Sequence, residues 1–381
     1  MIIAGEASGD MHGAKLAQAI KYHASDSFLF GIGGNAMQME GVRLIVNAKT
    51  LSVVGITEVF AKLPTIYRAL ATVKKALCSL KPDLLILIDF PDFNFHVAAV
   101  AKKLNIPILY YISPQIWAWR QNRVKKIKRL VDHMAVILPF EARFYHEHNV
   151  PVTFVGHPLL DRILPKLSSQ SSTTQSKEPV IGLLPGSREK EVSTLLPVML
   201  GAAKIIKEHL PAARFIVSCS ESLQDDLVMD VVSQYASTLE IEIIRGSVSE
   251  VFRQSRMLVA ASGTVTLEAA LYGIPMVIVY KVSPLSYWLG KRLIKVKHIG
   301  IVNLIVQKEL LPELIQDNAS PRTIAETVIA MINDQDRLRR IEKELSSIRD
   351  LLGGAGASDR VARIALDIIG QPSLTSSPLP S

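Results

Sequence analysis

Two carboxylates stand three residues apart where an apolar run ends. Leu84-Leu85-Ile86-Leu87-Ile88 stops at Asp89, and Asp92 and Asn94 follow just across Pro91. A carboxylate delivered by a rigid strand to a sheet edge suits general-base work, taking the proton from an attacking hydroxyl. Asp92 and Asn94 suit another task equally well, capping the helix that follows. Asp89 lies ahead of the proline, which makes the cap reading weaker for it. A second strand-edge carboxylate, Glu6, sits in the loop Gly5-Glu6-Ala7-Ser8-Gly9-Asp10 and is placed to face Asp89. That loop is neither G-x-G-x-x-G nor a Walker A motif, and Ser8 or Asp10 in it also reads as a helix cap.

A base needs a leaving group to work against. Leu183-Leu184-Pro185-Gly186-Ser187-Arg188 is a strand-to-helix turn in which Gly186 permits close backbone approach and Arg188 presents a fork matched to phosphate. The helix behind it adds free N–H groups. The competing reading is an ordinary turn with a surface arginine. Ala260-Ala261-Ser262-Gly263-Thr264-Val265-Thr266-Leu267-Glu268 repeats the device. Ser262, Gly263 and Thr264 would face a diphosphate, and Glu268, one helical turn on, would accept from ribose hydroxyls. Alternatively Thr264 is an N-cap and Glu268 offsets the helix dipole. Two such turns in one half of the chain favour a nucleotide diphosphate.

Other stretches point to an anionic or apolar partner. Ser113-Pro114-Gln115-Ile116-Trp117-Ala118-Trp119-Arg120 runs into Arg123, Lys125, Lys126, Lys128 and Arg129. This is either a solvated helix face or a seat for a phosphate or lipid headgroups. No RNA-binding signature accompanies it, so nucleic acid is not expected. Val53, Val54, Ile56, Val59, Phe60 and Leu63 are hard to bury together and suggest an acyl-chain or membrane contact. Leu285 to Lys295 is apolar on one side and basic on the other. Metal signals are poor: Asp334-Gln335-Asp336 reads as a helix cap, and His146 and His148 fall on different helix faces. Neither a metal nor another cofactor is expected.

The elements that must position these residues alternate. Strand-like runs at Ile2–Ala4, Phe28–Ile32, Leu84–Ile88, Ile106–Tyr111, Met134–Leu138 and Val152–Val155 are separated by helical patterns, which predicts a parallel sheet covered on both faces. A polar stretch over 166–178 reads as a linker. A second alternating series follows, with strands at Val180–Leu184, Phe215–Cys219, Ile241–Ile244, Met257–Ala260 and Met276–Val279. The expected fold class is therefore α/β: two doubly wound, Rossmann-like domains, 1–165 and 179–350, with an active-site cleft between them. Residues 351–370 read as a C-terminal helix packing on the first domain or on a dimer partner, and 371–381 as a disordered tail.

The whole chain sets bounds. Its 381 residues suffice for two cores, and 49% hydrophobic residues with 20% charged exclude a disordered or fibrous protein. Two distant cysteines, Cys78 and Cys219, favour a reduced, cytoplasmic setting. Met1–Glu6 lacks a basic n-region and reads as a strand under way, and no apolar run reaches membrane-spanning length. A net charge of +8 favours anionic partners.

The pieces GEASGD (Gly5–Asp10), DFPDFN (Asp89–Asn94), SPQIWAWR (Ser113–Arg120), FVGHP (Phe154–Pro158), LLPGSR (Leu183–Arg188), AASGTVTLE (Ala260–Glu268) and Asn303-Leu304 run in one order over nearly the whole chain. Together they resemble the lipid-A-disaccharide synthases, inverting glycosyltransferases of the two-Rossmann-domain (GT-B) kind. The resemblance implies transfer of a sugar from UDP-2,3-diacylglucosamine to 2,3-diacylglucosamine 1-phosphate, giving a β-1,6 disaccharide and UDP without a metal. It matches Asp89 to the family's catalytic aspartate and so to the base, with Asp92 as the fallback and Glu6 the carboxylate placed to face it. Gly186, Ser187, Arg188, Ser262, Gly263, Thr264, Glu268 and Asn303 would hold the donor. Arg120, Arg123, Val59, Phe60 and Leu63 would meet the acceptor or lipid. It further implies peripheral attachment to the cytoplasmic face of the inner membrane, and a homodimer through the C-terminal part.

Overall fold

The computed structural model of the protein describes residues 1–51, 56–168, 178–221, 223, 225–283, 287–288 and 296–370, without the side chains of 56–62, 166, 168 and 225. The expected linker core (169–177), most of the amphipathic stretch 285–295, Val53 and Val54, the side chains of Ile56, Val59 and Phe60, and the tail 371–381 lie outside the described residues.

Two compact units result, Met1–Asp161 joined by the chain from Leu352 onward, and Arg162–Leu351. The first holds a parallel sheet of β1 (Ile2–Ala4), β2 (Phe30–Gly33), β3 (Arg43–Asn47), β4 (Leu85–Ile88), β5 (Ile108–Tyr111), β6 (His133–Val136) and β7 (Val152–Phe154), in the order β3-β2-β1-β4-β5-β6-β7. The second holds β8 (Val180–Leu184), β9 (Arg214–Cys219), β10 (Ile241–Arg245), β11 (Met257–Ala261), β12 (Met276–Tyr280) and β13 (Glu313–Ile315), in the order β10-β9-β8-β11-β12-β13. Numbered from each unit's own first strand, the orders read 3-2-1-4-5-6-7 and 3-2-1-4-5-6, the doubly wound pattern with one strand added in the first unit.

The strands follow from their residues. Leu85, Ile86, Leu87 and Ile88 are all buried because helices cover both faces of a parallel sheet, so no alternation is needed. Alternate strand residues feed two cores: Leu85 and Leu87 pack with Val73, Leu77 and Phe95, whereas Ile86 and Ile88 pack with Leu16, Ile20 and Val361. The helix Ala357–Ile368 completes this second core against the helix Ala7–His23. His23 and Asp359 meet there at 2.6 Å, and Arg360 Nε donates to the Val155 carbonyl.

In such sheets strand order reverses beside the first strand, between β1 and β4 in one unit and between β8 and β11 in the other. Loops diverge there to opposite faces, leaving a crevice at the carboxyl ends of the strands. Among the candidate groups, Glu6 and Asp89 follow β1 and β4, and Gly186–Arg188 and Ser262–Thr264 follow β8 and β11. Each cluster thus occupies its unit's switch point.

Candidate active site

In the first unit, β4 does not run straight into the next helix. Asp89 and Phe90 both adopt left-handed backbone, with φ of 43° and 48°, before the helix Pro91–Lys103 begins. Non-glycine residues there cost roughly 1–3 kcal/mol each, so the surroundings must impose the turn. They do so by saturating the Asp89 carbonyl: Tyr110 Oη and Asn94 Nδ2 each donate to it at 2.6 Å. The Asp89 N–H meets the Tyr111 carbonyl at 3.4 Å, extending the β4–β5 ladder by one position. Phe90 then lays its ring on Gly5 and stacks on Phe93.

The carboxyl group so delivered is mostly buried. Burial, reinforced by the neighbouring Glu6 carboxylate, pushes Asp89 up to about 6, against the pull of a hydrogen bond from the Phe90 N–H. A carboxylate poised there is a stronger base than a solvated one and is still mostly ionised at neutral pH.

Asp92 separates from Asp89. It occupies the first turn of the helix, 77% of its side chain is exposed, and it is paired with Arg123 Nη2 at 2.7 Å. The expected capping by Asp92 or Asn94 is not what the fold does. The N-cap residue, Phe90, makes no side-chain cap bond, and Asn94 reaches backward to the Asp89 carbonyl instead. In the first loop, the helix already starts at Ala7, so Ser8 and Asp10 cannot cap it. Asp10 crosses to the N-terminus of the helix Asn35–Met39 and accepts from the N–H groups of Gly34, Ala36 and Met37.

Arg120 lies exposed over the Trp119 ring at 4.1 Å. Lys126 Nζ sits 4.8 Å from the Phe95 ring centroid, and Arg123 borders the same ring at 5.8 Å. Trp117 turns inward, its Nε1 donating to Glu141 at 3.0 Å. Glu141 also accepts from the Leu138 N–H at 3.1 Å; burial lifts its carboxyl to about 7 although the Trp117 and Leu138 bonds oppose this. Leu63 is 37% exposed.

In the second unit a cavity of about 510 Å³ opens at the β8/β11 switch point, lined by Gly186, Ser187, Arg188, Ser262, Gly263 and Thr264 together with ends of β9 and β10. That is the size of a small-ligand pocket. Two helices, Glu189–His209 and Thr264–Leu271, start on it. Gly186 has φ of 113°, a backbone that favours glycine, and a β-carbon there would displace the Glu191 side chain. At Gly263 nothing lies within 4 Å of the β-carbon position, which leaves the backbone open to a ligand. Arg188 extends largely into solvent, with Nη1 3.1 Å from Glu191.

Two expected donor contacts fall elsewhere. Asn303 is fully buried: its Nδ2 donates to the Leu311 carbonyl and Glu313, and its Oδ1 accepts from the N–H groups of Leu310 and Leu311. It ties the helix Ile301–Val306 to the segment entering β13 and has no free polar atom for a nucleotide. Glu268 is absent from the cavity lining, and its carboxylate is paired with Arg162 at 2.7 Å. Thr264 is the first helical residue, with Gly263 at the N-cap. Asp334 caps the helix Gln335–Leu351 through the Arg337 N–H.

Sequence reading missed Cys219, Glu191 and Gly246 on the cavity wall, and Tyr110 behind Asp89. Gly246-Ser247 directly after the strand Ile241–Arg245 was the available signal for the wall. Tyr110 sits inside an apolar run and gave none.

A family model described as Lipid-A-disaccharide synthetase matches residues 1–368. Lipid-A-disaccharide synthase from Geobacter metallireducens is 47% identical over 376 residues, covering 97% of each chain, and that from Coxiella burnetii is 42% identical over 373 residues, covering 97% of this chain and 98% of its own. Among solved structures, a UDP-GlcNAc 2-epimerase from Neisseria meningitidis, bound to UDP-GlcNAc, superposes with a TM-score of 0.64 at 12% identity over 96% of this chain and 99% of its own. MurG from Acinetobacter baumannii gives 0.59 at 13% identity over 96% and 98%. These last two share the fold.

Proposed function

Since the chain belongs to the lipid-A-disaccharide synthase family, we propose that its switch-point carboxylate, Asp89, is the base of an inverting sugar transfer. The protein is a glycosyltransferase of lipid A synthesis that uses a UDP-sugar. The finer reading is that 2,3-diacylglucosamine passes from UDP to the 6-hydroxyl of 2,3-diacylglucosamine 1-phosphate. Asp89 takes the hydroxyl proton as oxygen attacks the anomeric carbon, and the bond to UDP breaks on the opposite face. The observation that carries this is a carboxylate at a doubly wound switch point, held by a left-handed turn and raised to about 6.

Charge then grows on the departing diphosphate. Arg188 and the N–H groups that open the helices Glu189–His209 and Thr264–Leu271 are the cationic and dipolar groups around the cavity, and they supply stabilisation without a metal. Arg120 and Arg123 suit the acceptor phosphate, and Trp119 beside Arg120 suits a headgroup layer. Peripheral attachment to the inner face of the inner membrane and a homodimer belong to the same reading. No helix among the described residues is long and apolar enough to cross a membrane.

The test is UDP release from purified protein given both acylated sugars, with and without EDTA, and with UDP-N-acetylglucosamine as substitute donor. Release with the acylated pair alone, insensitive to EDTA, is expected. Equal release with the unacylated donor would replace this substrate assignment by that of a general UDP-N-acetylglucosamine enzyme.

A further inference from the structure

The Asp89 carbonyl receives two side-chain hydrogen bonds, and both donors are residues with no other evident task in the reaction. Tyr110 stands on β5, one strand over, fully buried, with its Oη 2.6 Å from that carbonyl. Asn94 stands on the first turns of the helix Pro91–Lys103, also fully buried, with Nδ2 2.6 Å from the same oxygen and 3.4 Å from the Ile88 carbonyl. A carbonyl oxygen has two lone pairs, so these donors fill it. The oxygen is thereby fixed from one side by the sheet and from the other by the helix. With the carbonyl direction set, the ψ of Asp89 and the position of Phe90 are set too, and the chain leaves β4 through two consecutive left-handed residues.

We propose that Tyr110 and Asn94 are positioning residues that hold Asp89 in this left-handed turn and so aim its carboxylate at the acceptor hydroxyl. The claim rests on Asp89 being the base. Neither donor touches the carboxylate in this arrangement; both act through the backbone of Asp89. Without them, the two residues relax toward ordinary backbone and the carboxylate swings away from its place beside Glu6. An orienting loss of this kind lowers the chemical step while leaving ground-state binding of both sugars intact.

The test is steady-state kinetics of Tyr110→Phe, which removes one hydroxyl and no ring volume, and of Asn94→Ala. Val73→Ala, a buried position on the helix Ile56–Leu80, serves as the stability control, with thermal melts for all three. The expected result is a fall in kcat of at least tenfold for Tyr110→Phe with KM for both sugars within twofold, while Val73→Ala keeps its kcat at a comparable or larger loss of Tm. If Asn94→Ala fails to fold, Tyr110→Phe alone decides. A kcat within twofold of the parent protein, or a fall equalled by Val73→Ala, overturns the proposal. Asp89→Asn run alongside separates the two readings. Turnover retained in Asp89→Asn removes the base itself, whereas an inactive Asp89→Asn beside a fully active Tyr110→Phe removes only the brace.

Discussion

The ring of Phe90 occupies the space where a side chain on Gly5 would stand: a β-carbon there would lie 2.7 Å from the ring's Cε1 and nearer still to other ring atoms. The loop after β1 and the turn after β4 are thus interlocked at the switch point, and glycine is needed at position 5 for space. Gly5→Ala must push Phe90 aside, and Phe90 is the second residue of the left-handed turn that carries Asp89. We expect kcat to fall at least tenfold, with a loss of about 1–3 kcal/mol in stability from overpacking. Phe90→Ala makes room for the methyl group, so adding Gly5→Ala to it should cost little more. If the two losses simply add, the interlock is not the cause.

The raised Asp89 carboxyl fixes the sign of two pH effects. Only the ionised form accepts a proton, so kcat/KM, which reports the free protein, should drop about tenfold per unit of pH below about 6. Stability runs the other way. Folding favours the protonated form, so this contribution is present below about 3.8 and is lost as pH rises through about 6. Glu141, raised from 4.5 to about 7, has the same sign. Asp89→Asn should therefore be more stable than the parent protein at pH 8, by on the order of 1–3 kcal/mol, and lose that advantage by pH 4. Urea titrations at the two pH values measure it. An inactive but no more stable variant at pH 8 would show that the Asp89 charge is not desolvated.

Arg188 forms an exposed ion pair with Glu191 only one helical turn away, an arrangement that contributes a few tenths of a kcal/mol at most. Arg188→Ala should leave the melting temperature unchanged while lowering kcat/KM for the UDP donor about 10²–10³-fold, the usual cost of losing a charged stabiliser of a leaving group. Arg188→Lys should recover part of this, because a point charge replaces a fork. Wild-type kinetics for Arg188→Ala would remove the residue from the diphosphate.

Much of this was legible because parallel strands are written as uninterrupted apolar runs, and their C-terminal ends are where Leu84–Ile88 gave way to Asp89 and Val180–Leu184 to Pro185-Gly186. What the local sequence could not carry was any partner distant in the chain. Asp10 looked like a cap for its own helix, yet the free N–H groups it satisfies belong to Gly34, Ala36 and Met37, brought near only by sheet order. Asn94 looked like a cap in Pro-Asp-Phe-Asn, but a left-handed Asp89 turned a carbonyl toward it. Aspartate tolerates left-handed backbone better than most residues, but two such residues in succession, the second a phenylalanine, arise only where surrounding contacts outweigh the strain.

Asn303 supplies the sharpest contrast between a ligand contact and an internal tie. Its amide is fully buried and makes four hydrogen bonds, two accepted from the Leu310 and Leu311 N–H groups and two donated, to the Leu311 carbonyl and to Glu313. Glu313 in turn accepts from the N–H groups of Ile299 and Gly300, so one amide and one carboxylate tie the start of the helix Ile301–Val306 to Leu310, Leu311 and β13. Asn303→Ala leaves the Leu311 N–H unsatisfied and the Leu310 N–H with only the Lys308 carbonyl, and an unsatisfied buried group costs roughly 1–3 kcal/mol, so a loss of about 1–3 kcal/mol is expected. Asn303→Asp should be no milder. It keeps the acceptor but replaces the donating Nδ2 with a carboxylate oxygen facing Glu313, and like charges buried together are costly. At a temperature where the variant is folded, UDP affinity by calorimetry should stay within about threefold of the parent value, since the amide has no bond left to offer a nucleotide. A stable Asn303→Ala that binds UDP ten times more weakly would reverse the assignment and return Asn303 to the donor site.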